Sequence, residues 1–355
     1  MSLVGCRDVI LHVLAHPNTL RRPGRDESRP YCCDCALRPP SMHMKVSVLV
    51  PVYKVEKYIA RCARSLFCQT MKEGVEFIFT DDASPDRSID ILLETLEEFP
   101  ERKHQVKILR HESNRGLAAT RKTGFLASRG EYIIHCDSDD WVEPDMYETM
   151  YQEAKKIDAD FVCCNYFFNT DSSQSEQKLN FNFPTHIQIS RILNSTPPVC
   201  MVWLRLFRSS FYRTFGLTVP DVNRYEDNPI SLIAHYEAKK IGHIDRPLYH
   251  YYKSNAHSIM ATESEDKIRD GILVADYIYN YLSKRNDRKE VLTIISPFLL
   301  KTKHIFIRDS RYFNPAKWRE MWPEISIWRS KTKRGIILML LARMKCDKIL
   351  KLFLK

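Results

Sequence analysis

From Val46 onward, short apolar runs alternate with longer stretches whose apolar residues recur at helical spacing. Val46 to Val52 is a β-branched apolar run, as a strand buried on both faces requires. Between Glu56 and Gln69, residues Ile59, Cys62, Ala63, Leu66 and Phe67 fall on one helical stripe. The alternation continues with a strand over Val75–Thr80, a helix over Ser88–Phe99, a strand over Val106–Leu109 and a helix over Leu117–Ser128. A fourth strand covers Tyr132–Cys136, a fourth helix Pro144–Ile157, and Phe161–Cys164 opens a fifth strand. This order predicts an α/β fold, a Rossmann-like, mostly parallel sheet flanked by helices. Further on, Asp266–Ser283 and Lys289–Arg308 predict helices of a small C-terminal helical region.

Ligands of parallel sheets bind beyond the carboxyl ends of the strands, so the residues just after each strand carry the chemistry. Tyr53 and Lys54 follow the first strand, Asp81 and Asp82 close the second, and Asp137, Ser138, Asp139 and Asp140 follow the fourth. Three acids within four residues repel one another unless a cation or hydrogen-bond donors offset them. An oxygen-only set without Cys or His suits a hard ion, Mn²⁺ or Mg²⁺, whose remaining positions go to substrate phosphates. The cluster lacks the dozen-residue spacing of acids in a calcium loop. Neither a P-loop nor a G-x-G-x-x-G turn follows the first strand, which argues against nucleotide hydrolysis and dinucleotide chemistry. A bound diphosphate is therefore assigned to the metal together with Arg121 or Lys122. Each of these features also has a structural reading: an acidic turn capping a helix, or solvated charges on a helix face.

Composition changes the picture at the two ends. The net charge of the 355 residues is +10, and nine basic residues with a single acid, Asp347, lie between Ser326 and Lys355. A basic stretch rich in Trp, Ile and Leu suits an anionic membrane surface, or a terminal helix docked on the protein. A nucleic-acid binder would spread its charge over the folded body, so none is assigned. The eleven cysteines sit partly inside apolar runs such as Phe161–Cys164, consistent with buried thiols in a reducing compartment. No run of about twenty apolar residues is present to span a bilayer. The expected organisation is a disordered extension over 1–43 ahead of a start near Met44, a catalytic domain over 44–260, a helical region over 261–325 and a basic amphipathic tail over 326–355.

Four stretches in order resemble the family-2 glycosyltransferases of bacterial surface-polysaccharide type: Val50–Tyr53, Thr80–Ser84, Asn114–Gly124 and Gly130–Asp140. The resemblance spans Lys45–Tyr166 strongly and continues weakly to about Met260. It implies a GT-A fold and inverting, metal-dependent transfer from a nucleotide-sugar. Carried over residue by residue, Pro51, Tyr53 and Asp82 line the nucleobase pocket, and Asp82 is suited to accept a uracil imide N–H from a UDP-sugar. The Asp-x-Asp motif falls on Asp137 and Asp139, with Ser138 between them; Asp139 is the metal ligand and Asp137 is shared between ribose and metal. Ala83 stands where the family has Gly, and Lys54 and Lys122 where Asn is common. Glu226 and Asp227, just before the apolar helix Ile230–Ala238, resemble the family's acidic pair, with Asp227 as general base and Glu226 positioning the acceptor. Their structural reading is a cap on that helix. The segment Tyr249–Ile259 resembles the close of the catalytic domain, with His257 as a further metal ligand. A glycan or lipid-linked acceptor and a cytoplasmic location, peripheral on the inner face of the cell membrane, complete the expectation. Two alternatives remain at this level. One is a sugar nucleotidyltransferase, which wants a Gly-rich loop after the first strand; the other is a catalytically silent, membrane-associated nucleotide-sugar-binding protein.

Overall fold

The computed structural model describes residues 44–181, 183–194, 199–217, 222–255, 265–330 and 332–354. Its first half is built from β1 (Val46–Val52), α1 (Ile59–Phe67), β2 (Val75–Asp81), α2 (Ser88–Glu97), β3 (Val106–Arg110), α3 (Leu117–Ala127) and β4 (Tyr132–His135). The strands pair in parallel in the order β3-β2-β1-β4. β1, β2 and β4 are buried almost throughout, which explains their unbroken apolar sequences. α2 and α3 begin where the periodicity places them, at Ser88 and Leu117, whereas α1 and α4 begin later, at Ile59 and Met146 rather than Glu56 and Pro144.

Beyond β4 the sheet becomes mixed. The short β5 (Trp141–Val142) leads into α4 (Met146–Ile157) and the long β6 (Phe161–Asn169). β7 (Gln174–Gln177), α5 (Thr185–Asn194), β8 (Arg205–Arg208) and α6 (Ser209–Thr214) follow. α7 (Asp227–Glu237) then runs into β9 (Ile241–Tyr252). β8 pairs antiparallel with both β4 and β6, joining the two halves, whereas β9 lies parallel to β6 and antiparallel to β5. The consequence for function is that β9 ends beside the loop after β4. Trp141 and His250 are register partners, and at the end of β9 the Tyr252 amide and the Asn255 side chain reach Asp140 and Asp139 of the acidic cluster.

The C-terminal part is helical: α8 (Glu265–Leu282), α9 (Arg288–Lys303), α10 (Ile305–Arg308), α11 (Pro315–Glu320), α12 (Lys333–Arg343) and α13 (Asp347–Lys351). The helix expected over Lys289–Arg308 is interrupted near His304, where α9 gives way to α10. Trp318, Trp322, Ile307 and Leu300 are buried here and belong to the same core cluster as the sheet.

Candidate functional site

α3 is preceded by Gly116, whose φ of +89° only glycine adopts freely. A Cβ there would sit 2.0 Å from Asn223 Oδ1, so the turn is closed to side chains on both grounds. The same turn is pinned by Asp82. Its carboxylate accepts from the amides of Arg115 and Gly116, each at 2.8 Å, and from His111 Nδ1 at 2.7 Å. His111 is held in turn by the Thr123 hydroxyl, 2.9 Å from Nε2. On the other side of the β2 exit, Ala83 adopts φ 55° and Lys54 φ 55°, and Ser84 Oγ accepts from the Lys54 amide at 2.8 Å. Tyr53 projects from this crossover with 39% of its surface exposed, next to the partly buried Pro51.

Arg121 leaves α3 toward the sheet edge, and three carboxylates converge on its buried guanidinium. Nη2 donates to Asp137 Oδ1 at 2.7 Å, and Nη1 donates to Asp227 Oδ1 at 2.9 Å and to Glu226 Oε1. Burial alone would weaken the charged form of Arg121, but the acids, Asp137 foremost, hold its pKa well above the ordinary value. Glu226 moves the other way: burial pushes it up to about 8, Arg121 pulls it down and Asp227 pushes it further up. Asp227 is likewise raised, by burial first. Tyr225, immediately before the pair, has φ 66°, so the backbone that presents the two acids is itself in the left-handed region. The alternative to a catalytic role, a cap by Asp227 on the helix opened by Pro229, places Asp227 ahead of that helix. In the structure α7 begins at Asp227 itself, and the carboxylates turn to Arg121.

The acidic cluster is divided by what holds it. Asp140 is fully buried; it accepts from the Tyr249 hydroxyl and from the Tyr252 amide, both at 2.7 Å. The Tyr249 oxygen also accepts from the Asp137 amide at 3.0 Å. Asp140, which the motif leaves without a role, is therefore the anchor of the loop onto β9. Asp139 is partly buried, and its Oδ2 accepts from Asn255 Nδ2 at 2.7 Å. Burial and the neighbouring Asp137 raise it to about 6. Arg61 donates to the Asp139 carbonyl at 2.8 Å while its guanidinium stacks on the Trp141 ring, 3.8 Å from the centroid. Ser138 is buried between the two outer acids.

Most of the residues singled out in the sequence thus meet at one sheet edge. Asp137, Glu226, Asp227 and Arg121 share one hydrogen-bonded group, and Asp139 lies in the same loop as Asp137. Asp82 belongs to the neighbouring turn. Lys122 is exposed beside a small pocket that it lines with Arg121 and Glu226, and His257 falls outside the described residues. Among the described residues, no three His, Cys, Asp or Glu side chains are arranged to hold a metal without help. Sequence reasoning missed Tyr249, Asn255, Arg61 and His111, whose bonds to the site's acids span 29 or more residues of the chain. Tyr249 and Asn255 lie within the Tyr249–Ile259 segment; Arg61 and His111 carry no local signal. A cavity of about 330 Å³ in the C-terminal helices, lined by Lys301, His304, Ile305, Arg308 and Asp309, shares no residue with this site.

Paired carboxylates, a buried arginine shared among three acids and a loop of further acids are thus gathered at one sheet edge. The model described as glycosyl transferase family 2 matches residues 47–216. The putative glycosyltransferase EpsH of Bacillus subtilis is 31% identical over 262 residues, 72% of this chain and 74% of that protein. Glycosyltransferase GlyG of Streptococcus pneumoniae is 30% identical over 234 residues, 61% of this chain and 73% of that protein. Residues 1–349 of S. aureus TarS, solved in complex with UDP, superpose with a TM-score of 0.63 at 19% identity, covering 86% of this chain and 88% of that one. The chain belongs to glycosyltransferase family 2 and has the GT-A fold.

Proposed function

We propose that the protein is an inverting glycosyltransferase that moves a sugar from a UDP-sugar to a hydroxyl of a glycan or lipid-linked acceptor in cell-surface polysaccharide synthesis. One observation carries the reading: the guanidinium of Arg121 bonds Asp137 of the acidic loop and the Glu226–Asp227 pair together. Donor-side and acceptor-side acids are thereby held within one hydrogen-bonded group, the arrangement that in-line displacement at an anomeric carbon needs.

Asp227 is the general base. It takes the proton of the acceptor hydroxyl at a carboxylate oxygen as that hydroxyl attacks, while Glu226, sharing Arg121, fixes its orientation. The donor lies across Pro51 and Tyr53, with Ser138 and Asp137 at the ribose. Asp82 already accepts three hydrogen bonds, so of a carboxylate's roughly four acceptor positions about one is left for a uracil imide N–H. Lys122 and Arg121 stand on the diphosphate side, Arg121 chiefly through the acids it orders. The residues fit a divalent cation. Asp139 keeps only one oxygen on Asn255, its raised pKa marks uncompensated charge, and oxygen donors suit Mn²⁺ or Mg²⁺. Asp139, Asp137 and, outside the described residues, His257 would hold the ion, which supplies positive charge against the departing diphosphate. An acceptor carried on a lipid places the enzyme at the inner face of the cell membrane.

The decisive experiment is the Asp227→Asn variant, assayed for transfer and, by calorimetry, for UDP binding. Transfer is expected to fall by about 10³-fold or more with UDP affinity retained; normal turnover would overturn the assignment. The same assay with Mn²⁺ withdrawn and restored tests the cation, and Asp139→Ala is expected to abolish the metal response.

A further inference from the structure

α12 settles onto the C-terminal core through Gly335, Leu338, Met339 and Ala342, and α13 through Leu350. Docking accounts for that face alone. The opposite face leaves Ile337 55%, Met344 68%, Ile349 46% and Leu352 81% exposed, and Trp328 just upstream is 67% exposed. On α12, positions 334, 337, 341 and 344 follow helical spacing, so Arg334, Ile337, Leu341 and Met344 line one stripe. Around α13 the four-residue spacing pairs Lys348 with Leu352 and Ile349 with Phe353. Exposed cations are interleaved with these apolar side chains: Lys333, Arg334, Lys345, Lys348 and Lys351. The single acid of the segment, Asp347, is neutralised by a two-pronged bond from Arg319, at 2.9 and 3.1 Å.

We infer that this face of α12 and α13 docks on an anionic phospholipid bilayer. Ile337, Met344, Ile349 and Leu352 enter the interface, and the flanking lysines lie among the phosphate headgroups. Two arguments select this occupant. A second copy of the same face would set lysine against lysine across the contact, which like-charge repulsion opposes. A nucleic acid would satisfy the cations but leave the aliphatic side chains in water, whereas a membrane interface takes both. The inference rests on the membrane-bound acceptor proposed above, and it adds the surface and the lipid charge.

The test is vesicle co-sedimentation of the full chain. Vesicles of phosphatidylglycerol with phosphatidylcholine are expected to bind it, vesicles of phosphatidylcholine alone much less, and 0.5 M salt is expected to release it. Replacing Lys345, Lys348 and Lys351 together by Gln removes three charges and is expected to weaken binding about 100-fold. The double variant Ile349→Ser, Leu352→Ser is expected to weaken it about tenfold or more. Both sets are exposed, so UDP-sugar hydrolysis without vesicles is expected to stay at the wild-type level. That parallel assay separates failure of the transferase reading from failure of the membrane one. Absence of binding to anionic vesicles, equal binding by both variants, or conversion of an oligomer to monomers by the Ser variants without any vesicle binding would each overturn the proposal.

Discussion

At the scale of single residues, the site concentrates two costs, strained backbone and buried charge. Lys54, Ala83 and Tyr225 are non-glycine residues at positive φ, and all three flank it. An L-residue in this region costs about 1–2 kcal/mol, against about 0.5–1 kcal/mol of extra chain entropy for glycine. Ala83→Gly is therefore expected to stabilise the protein by roughly 0.5–1 kcal/mol in urea denaturation, with turnover unchanged; destabilisation would show that the Ala83 methyl is needed. The buried acids set the pH response. Glu226 is held at about 8 against an ordinary 4.5, and Asp139 at about 6 against 3.8. Both folded values are raised, so their stability contribution is complete below the ordinary values and is lost as pH rises through the folded ones. The melting temperature of the metal-free protein is expected to fall between about pH 4.5 and 8, and Glu226→Gln is expected to flatten that slope; an unchanged slope in the variant would refute the assignment. Of these residues, the Asp-x-Asp acids were legible because three acids crowd the end of an apolar strand, and Asp227 through the resemblance of Glu226–Asp227 to the family's acidic pair. Arg121 was legible as a cation but not as the hub of three acids, because Glu226 and Asp227 reach it only through the folded second half of the sheet.

At the scale of elements, the parallel half could be read because strands covered on both faces leave unbroken apolar runs. β8 has four residues and β9 contains Asp245, Arg246 and Pro247, so neither shows a strand period. A register irregularity where β6 passes Cys164 and Asn165 breaks the pattern further. Yet β9 supplies the support for the acidic loop. Tyr249 bonds the buried Asp140 and the Asp137 amide with one hydroxyl, and its ring stacks on Trp203 with centroids 4.1 Å apart. Tyr249→Phe keeps the stack and leaves a buried carboxylate and an amide each short of a partner. A loss of roughly 1–3 kcal/mol is expected in urea denaturation, together with weaker UDP binding. Wild-type stability in that variant would mean that the Tyr252 amide alone holds Asp140.

At the scale of the whole molecule, the C-terminal helices join the catalytic half in one core. No helix among the described residues is long and apolar enough to cross a membrane. The tail cannot be treated as an appendage. Leu338, Met339, Ala342 and Leu350 are buried, and at 1.5–3 kcal/mol for each large side chain their removal forfeits about 5 kcal/mol or more. Total stability of a domain is roughly 5–15 kcal/mol, so ending the chain before Ser326 removes a large share of it. It also opens the layer over Trp318 and Ile307. The truncated protein is expected to melt markedly lower, with faster hydrogen exchange in α9 to α11, whether or not a membrane is present. Loss of vesicle binding on truncation therefore reports unfolding and docking together, and only the exposed-face variants separate them. Should the truncated chain keep the wild-type melting temperature and exchange pattern, the buried face of α12 would contribute nothing to the core. The tail would then be free to leave the protein for the bilayer.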